Sequence, residues 1–172
     1  AMRGSHENGD IFFQHRESCN GHYDALPAIV ESCMQQVNDK IGTNYDLFNY
    51  YGAPDADRVI VAMGSICDVA EEVVDYLNAH GEKVGLVKVR LYRPFVPEKL
   101  AAAIPETVTK VAVMDRTKEP GSVGEPLYLD VVCGLHEIGR AGITIVGGRY
   151  GLGSKDTPPA SVFAIFEELK KD

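Results

Sequence analysis

One stretch, residues 58–94, most constrains the fold, because it places a helix between two apolar strands. Residues 58–63 are a continuous apolar run rich in β-branched side chains, as is typical of a parallel strand covered on both faces. Gly64 begins a turn, a helical pattern extends from Ser65 to about Ala79, and a second apolar run follows over 84–91. This order predicts a β-α-β crossover with parallel strands.

The start and end of that helix carry their own signals. Ser65 and Asp68 have the spacing of a capping box, in which the serine hydroxyl would accept a hydrogen bond from a backbone amide of the first turn. Gly81 follows the last helical position and predicts the end of the helix.

Similar alternation continues along the chain. Residues 1–21 are predicted to be irregular, with a possible expression-tag remnant at 1–6, and residues 22–172 to form one domain. The remaining predicted elements are helices at 22–41 (ended by Gly42), 97–104, 125–138 and 159–169, and strands at 47–51, 108–114 and 143–146. Strands that alternate with helices predict a three-layer α/β/α sandwich.

The predicted parallel strands supply the predicted core. We expect nine side chains of these strands to be buried. The nine are Val59, Val61, Leu86, Val87, Val89, Val111, Val113, Ile143 and Ile145.

Charge and hydropathy exclude two classes of partner. The formal net charge of −8 over 172 residues argues against binding to nucleic acid or to an anionic membrane. No apolar run reaches the ~18 residues that a membrane-spanning helix needs. We therefore expect a soluble protein.

Cysteine and histidine positions indicate no metal site. The four cysteines and five histidines show no pair with the spacing of zinc or iron–sulfur ligands. Cys33, Cys67 and Cys133 fall at apolar-leaning helical positions, so we expect them to be small buried side chains. Free thiols of this kind suit a reducing compartment and predict a cytoplasmic location.

In a parallel sheet, ligand-binding residues collect in the loops that follow the carboxyl ends of the strands. The first such loop is Gly64–Ser65, which either simply caps the next helix or holds an anion at its start. The second contains Arg93, which is a candidate for an ion pair, for docking or for ligand contact.

The third loop, residues 115–125, carries charges of both signs. Asp115 ends a strand and could accept a hydrogen bond from a substrate or a neighbouring domain, while Arg116 and Lys118 supply positive charge. Gly121 and Gly124 permit tight turns. The loop therefore has two open interpretations: it only shapes the domain, or it contacts a ligand or a neighbouring domain.

The fourth loop, residues 147–157, has the glycine spacing of a phosphate-binding loop but not its chemistry. Ser154 precedes Lys155, which reverses the order that a P-loop requires, and two prolines delay the next helix. A backbone amide cradle for a phosphate or carboxylate remains an alternative. Its candidate residues are Gly148, Arg149, Gly151, Gly153, Ser154 and Lys155.

Several motifs together resemble one enzyme family. They occupy residues 63–65, 81–95, 112–121, 124–128 and 146–155, with upstream runs at 10–14 and 23–31. In these runs the chain closely resembles the pyruvate:ferredoxin (flavodoxin) oxidoreductases, in the domain that they share with the transketolase C-terminal domain. The resemblance implies a mixed five-stranded sheet whose first strand is antiparallel, and residues 47–51 are the candidate for that strand.

The resemblance also implies an activity for a longer parent enzyme. The family oxidises a 2-oxoacid, typically pyruvate, with coenzyme A to an acyl-CoA and carbon dioxide. It uses thiamine diphosphate with Mg²⁺ and passes electrons through [4Fe–4S] clusters to ferredoxin or flavodoxin. The implied parent is a homodimer. The family's diphosphate–magnesium motif and cysteine clusters do not occur in these 172 residues, so no catalytic, cofactor or metal residue can be carried over.

Three functional hypotheses follow. The chain is a non-catalytic domain that packs against other domains of the same polypeptide, or a domain that contacts or gates coenzyme A through the 115–125 or 147–157 loop. The third hypothesis is a free-standing α/β module that binds anions. The mixed charges of the predicted edge favour docking over phosphate binding, since a phosphate site would be a basic pocket.

Overall fold

The computed structural model describes residues 6–171, and the chain divides into two compact units, Ala1–Tyr45 and Asp46–Asp172. This division lies after Tyr45, whereas the sequence placed the start of the domain at residue 22. The first unit contains helices α1 (Gly9–Glu17) and α2 (Asn20–Ile41). Gly42 ends α2 in a left-handed conformation with φ 71°, as predicted.

Helix α1 corrects the prediction that residues 1–21 are irregular. Asp10 lies in its first turn and Arg16 in its last, so both charges complement the helix dipole. These terminal charges favour a helix without the apolar periodicity on which the sequence prediction depended. Residues 1–5 of the predicted tag remnant lie outside the described residues.

The second unit is built on one five-stranded sheet. Its strands are β1 (Phe48–Gly52), β2 (Arg58–Ala62), β3 (Val84–Val89), β4 (Lys110–Asp115) and β5 (Thr144–Arg149). Their order across the sheet is β1-β3-β2-β4-β5. Only β1 runs antiparallel to its neighbour, while the other pairings are parallel. This sheet confirms the predicted mixed, mostly parallel α/β architecture, including its antiparallel first strand.

Helices cover both faces of the sheet. Helices α3 (Ile66–Ala79) and α6 (Pro159–Glu168) pack together over one face, and α4 (Pro97–Ala103) and α5 (Pro126–Glu137) pack together over the other. Because side chains alternate along a strand, Ile60 and Leu86 join the α3–α6 core while Val59 and Val61 point to the opposite face. The predicted core residues of β2, β3 and β4 are all buried, which confirms those three strands.

Strand β5 differs from the prediction, which made it a buried strand. Ile143 and Ile145 are only half-buried, and Val146 is 40% exposed. The physical reason is position: β5 pairs with β4 alone among the described strands and forms an edge of the sheet. An apolar run looks the same in sequence whether its strand is central or at an edge.

Two of the three cysteines predicted to be buried are exposed. Cys67 is buried in α3, but Cys33 and Cys133 are exposed. Cys133 lies two residues after the buried Val131 of α5, which turns it to the opposite side of that helix. Burial raises the pKa of the Cys67 thiol to about 11.

No helix in the described part of the chain combines the length and apolar character needed to cross a bilayer. Strands β2 to β5 are parallel, so the loops that follow them emerge at one edge of the sheet. We call this the carboxyl edge.

Candidate docking and anion-contact edge

The residues predicted from the sequence lie at the carboxyl edge but do not form a single site. Three groups can be distinguished: a cavity beside the start of α3, a cluster of polar contacts with α5, and a small hollow beside Glu125.

The cavity beside the start of α3 brings together residues of several predicted loops. It has a volume of about 360 Å³, and Ser65, Arg116, Gly151, Ser154 and Lys155 line it. Thus residues from the first, third and fourth predicted loops meet in one place. Asp156 also lines the cavity, so its charge is not uniformly positive.

Two side-chain hydrogen bonds hold the 147–157 loop against the ends of β2 and β4. The Tyr150 hydroxyl donates to the Met63 carbonyl at 3.1 Å, and Arg116 Nε donates to the Gly151 carbonyl at 3.2 Å. Gly151 has a φ of 61°, and a Cβ there would lie 3.1 Å from Arg116 Nε, so glycine serves both the turn and the close approach. Burial raises the pKa of Tyr150, which keeps its hydroxyl protonated as a donor.

The basic groups of the cavity retain donor capacity. Arg116 is exposed, and only its Nε donates a hydrogen bond to another described residue. The Lys155 ammonium is exposed and has no hydrogen-bond or ion-pair partner among residues 6–171. An anion that entered the cavity would therefore meet two cationic side chains with unused donors.

Ser65 does not form the predicted capping box. Its side chain makes no capping hydrogen bond within the described residues. A capping serine needs an extended backbone, but Ser65 already has helical torsion angles of φ −65° and ψ −20°. Gly64 makes the turn instead, with φ 80°, and its carbonyl accepts from the Cys67 amide at 3.1 Å.

Arg93 forms an ion pair with Asp130 of α5. Its guanidinium contacts both carboxylate oxygens of Asp130, with Nη1 at 3.1 Å from Oδ1 and Nη2 at 2.7 Å from Oδ2. It also lies over the Tyr92 ring, with Cζ 4.5 Å from the ring centroid. Burial, followed by the hydrogen bond to Asp130, raises the pKa of Tyr92 to about 12. Of the roles open for Arg93, the structure shows the ion pair.

Asp115 is the acceptor for the start of α5 and is only 2% exposed. Its Oδ1 accepts from the Leu127 amide at 2.9 Å and its Oδ2 from the Tyr128 amide at 3.1 Å. These amides belong to the first turn, where a helix has no internal acceptors and favours negative charge. Burial raises the pKa of Asp115, and its two amide hydrogen bonds oppose that rise. Both oxygens are thus occupied within the domain.

Glu125 and Arg149 form a third group. Glu125 is buried; its Oε1 lies 3.3 Å from Arg149 Nε, and its Oε2 accepts from the Glu119 amide at 2.7 Å. A hollow of about 180 Å³ beside them is lined by Lys118, Gly148 and Arg149, among others. Arg149 therefore neutralises a buried carboxylate, which leaves it less able to bind an anion.

Three residues that shape the edge were not predicted as site residues: Tyr150, Asp130 and Glu125. Tyr150 stands between a strand end and Gly151, where an aromatic side chain can anchor a loop, and this signal was available in the sequence. Asp130 and Glu125 act through partners 37 and 24 residues away, and no local pattern indicates such pairings.

The described residues offer no metal site. Across residues 6–171, no three His, Cys, Asp or Glu side chains group closely enough to hold a metal ion.

Comparison with known proteins places these features in a family. Residues 56–162, more than half of the chain, match the family model for "Pyruvate:ferredoxin oxidoreductase core domain II". A pyruvate:ferredoxin oxidoreductase of Moorella thermoacetica is 56% identical over 168 residues, and a pyruvate-flavodoxin oxidoreductase of Enterobacter agglomerans is 53% identical over 168 residues. Each alignment covers 98% of this chain but only 14% of the relative.

A solved structure shows the same fold at lower identity. It is a 2-oxoglutarate:ferredoxin oxidoreductase from Magnetococcus marinus with 2-oxoglutarate, coenzyme A and succinyl-CoA bound. The match has a TM-score of 0.51 and 22% identity, and it covers 74% of this chain and 20% of that one. The matched model and the nearly complete alignments with much longer relatives show that this chain belongs to the pyruvate:ferredoxin oxidoreductase family, in the region of its core domain II.

Proposed function

We propose that this chain is a non-catalytic docking domain of a larger 2-oxoacid oxidoreductase. One observation supports the proposal: three of the charged residues predicted at this edge, Arg93, Asp115 and Arg149, are all engaged within the domain. A catalytic group needs a free proton, lone pair or charge to offer the substrate. These three residues instead fix the loops of the carboxyl edge to the start of α5, which gives the edge a defined shape for another domain.

The activity proposed for the whole enzyme follows from its relatives. That enzyme would oxidise pyruvate and pass electrons to ferredoxin or flavodoxin, as the names of the relatives indicate. Coenzyme A as co-substrate, with acetyl-CoA and carbon dioxide as products, is what the family resemblance implies. The described residues do not fit the metal centres of such a reaction, because no three His, Cys, Asp or Glu side chains among them group closely enough to hold an iron–sulfur cluster or a metal ion. We assign those cofactors to other domains of the same polypeptide.

Assembly and location are part of the same proposal. The partners of the domain would be the other domains of its own polypeptide, in an enzyme that forms a homodimer. The free thiols fit a cytoplasmic enzyme. Neither nucleic acid nor membrane is proposed as a partner.

The cavity beside α3 supports a second candidate function, contact with the phosphates of coenzyme A. Arg116 and Lys155 both line it with unused donors, and the start of α3 lies at its wall. Asp156 weakens this candidate, because its carboxylate would repel a phosphate at the same wall.

A calorimetric titration of the 172-residue chain with coenzyme A separates the two candidates. Docking predicts no saturable binding. Contact with coenzyme A predicts binding that Lys155→Ala abolishes and Lys118→Ala does not, because Lys118 lines the other hollow. Charge reversal of Lys155 in the full-length enzyme should, under the docking proposal, weaken assembly while this domain's affinity for coenzyme A stays unmeasurable.

A further inference from the structure

Strand β5 leaves one side of its backbone open. It pairs with β4 on one side and with no described strand on the other. Most of its residues are exposed, in contrast to the fully buried β2 on the other side of β4. The sheet therefore ends in a six-residue parallel strand that the described domain does not cover.

The hydrogen bonds at the two ends of β5 show which backbone groups face outward. The Thr144 amide donates to the Thr109 carbonyl at 2.8 Å, and the Tyr150 amide donates to the Asp115 carbonyl at 3.1 Å. In a parallel pair every second residue bonds to the neighbour, so the even-numbered residues of β5 face β4. Ile145, Gly147 and Arg149 consequently direct three N–H and three C=O groups away from the sheet.

This edge lacks most of the features by which proteins usually protect an exposed strand. Protected edges are short, carry charged side chains or proline, or are twisted away by a bulge. β5 contains neither proline nor lysine, and its register with β4 is continuous from Thr144 to Arg149. Its one charged side chain, Arg149, is paired with Glu125.

A mostly apolar hollow lies between α6 and the last two strands, β4 and β5. It has a volume of about 280 Å³, and its lining includes Met114, Val146, Ala164 and Ile165, with Arg149 and Glu168 as its charged members. A strand added beside β5 would direct every second side chain toward this face of the sheet. The hollow thus fits an extended segment with apolar residues at alternate positions.

We infer that the open edge of β5 receives an extended segment of the same polypeptide from outside residues 1–172, which adds a sixth strand to the sheet. The inference rests on the proposed docking function. It specifies the surface that docks, the edge of β5, and the way it docks, by addition of a strand. The length of the relatives supports the occupant: this chain aligns with only 14% of each of them, so most of such a polypeptide lies outside these residues. Backbone hydrogen bonds would provide the affinity, and the apolar hollow would provide the selectivity.

A second copy of this domain is a poorer occupant. Two β5 strands paired antiparallel about a two-fold axis at Gly147 would place Gly147 opposite Gly147. Cross-strand side-chain contacts stabilise a sheet, and such a pair would have none at its centre. An asymmetric segment with its own apolar side chains avoids that loss.

Hydrogen exchange resolved to single residues tests the inference. The amide exchange of Ile145, Gly147 and Arg149 would be compared between the 172-residue chain and the full-length enzyme that contains it. We expect exchange slower by on the order of 100-fold in the full-length enzyme at these three amides. Val146 and Gly148 are the internal controls, since their amides face β4 in both proteins and should change much less.

A matched pair of proline variants adds a second readout. Ile145→Pro removes an outward amide, whereas Ile145→Ala shortens the same side chain and keeps that amide. In the full-length enzyme we expect Ile145→Pro to lower the yield of assembled protein while Ile145→Ala does not. Val146→Pro removes an amide bonded to β4, so it should destabilise the 172-residue chain more than Ile145→Pro does.

The outcomes separate this inference from the proposed function. If the three amides exchange equally fast in both proteins while residues 150–157 become protected, strand addition is overturned and docking stands. If neither region becomes protected in the full-length enzyme, both are overturned. Protection that already appears in the 172-residue chain and grows with its concentration would identify a second copy as the occupant and would also overturn the inference.

Discussion

Replacement of Asp115 by alanine should destabilise the domain by removing the acceptor for the start of α5. The carboxylate is 2% exposed and accepts from the Leu127 amide at 2.9 Å and the Tyr128 amide at 3.1 Å. The variant leaves both amides without their acceptor. Because Leu127 is buried, water cannot easily replace the lost oxygen there.

The magnitude follows from these contacts. A buried donor left unpaired costs about 1–3 kcal/mol, and the Leu127 amide should lose that full amount. Tyr128 is only half-buried, so water can partly satisfy its amide. The variant also removes a desolvated carboxylate, which offsets part of the cost. The partial cost at Tyr128 and this offset act in opposite directions, so we expect a net loss of about 1–3 kcal/mol in the free energy of unfolding.

The pH dependence has a defined sign. Burial raises the pKa of Asp115 in the folded state, so the folded chain holds its proton to higher pH than the unfolded chain does. The stability contributed by Asp115 is therefore fully present below the ordinary aspartate pKa and declines as the pH rises through the raised value. The cost of Asp115→Ala should accordingly be larger in acid than at neutral pH.

Urea denaturation followed by circular dichroism measures both effects, at several pH values at which the chain stays folded. Glu119→Ala is the matched control: it removes an exposed carboxylate from the same loop and should change stability by less than about 0.5 kcal/mol. A loss for Asp115→Ala no larger than that of the control would refute the capping role. A cost that increases with pH would refute the pKa argument.

Three further predictions concern the core, the activity and the thiols. Val61→Ala should cost about 1–3 kcal/mol in urea denaturation, and Val146→Ala, at the exposed edge, clearly less; equal costs would contradict the assigned burial. The 172-residue chain supplied with thiamine diphosphate, Mg²⁺ and coenzyme A should release no labelled carbon dioxide from pyruvate, and measurable release would contradict the non-catalytic role. Cys33 and Cys133 should react with iodoacetamide in the native chain while Cys67 reacts only after denaturation, as intact mass would show.

The sequence by itself determined the elements whose signals are local. Continuous apolar runs identified β2, β3 and β4, since a strand buried on both faces needs apolar side chains at every position. Gly42 and Gly81 were correctly placed after helix ends, where both have positive φ angles that favour glycine. The antiparallel β1 was assigned through the family resemblance, because a short mixed run does not reveal strand direction.

Only the tertiary structure decided the features that depend on distant partners. Whether an apolar run such as β5 is central or at an edge depends on which strands pair beside it, and the run itself carries no such information. The same holds for Asp115: its position at a strand end indicated an acceptor, but the fold supplied amides 12 and 13 residues away as its donors. The predicted edge residues thus became mainly internal contacts, because packing α5 against β4 and β5 brought their partners within hydrogen-bonding distance.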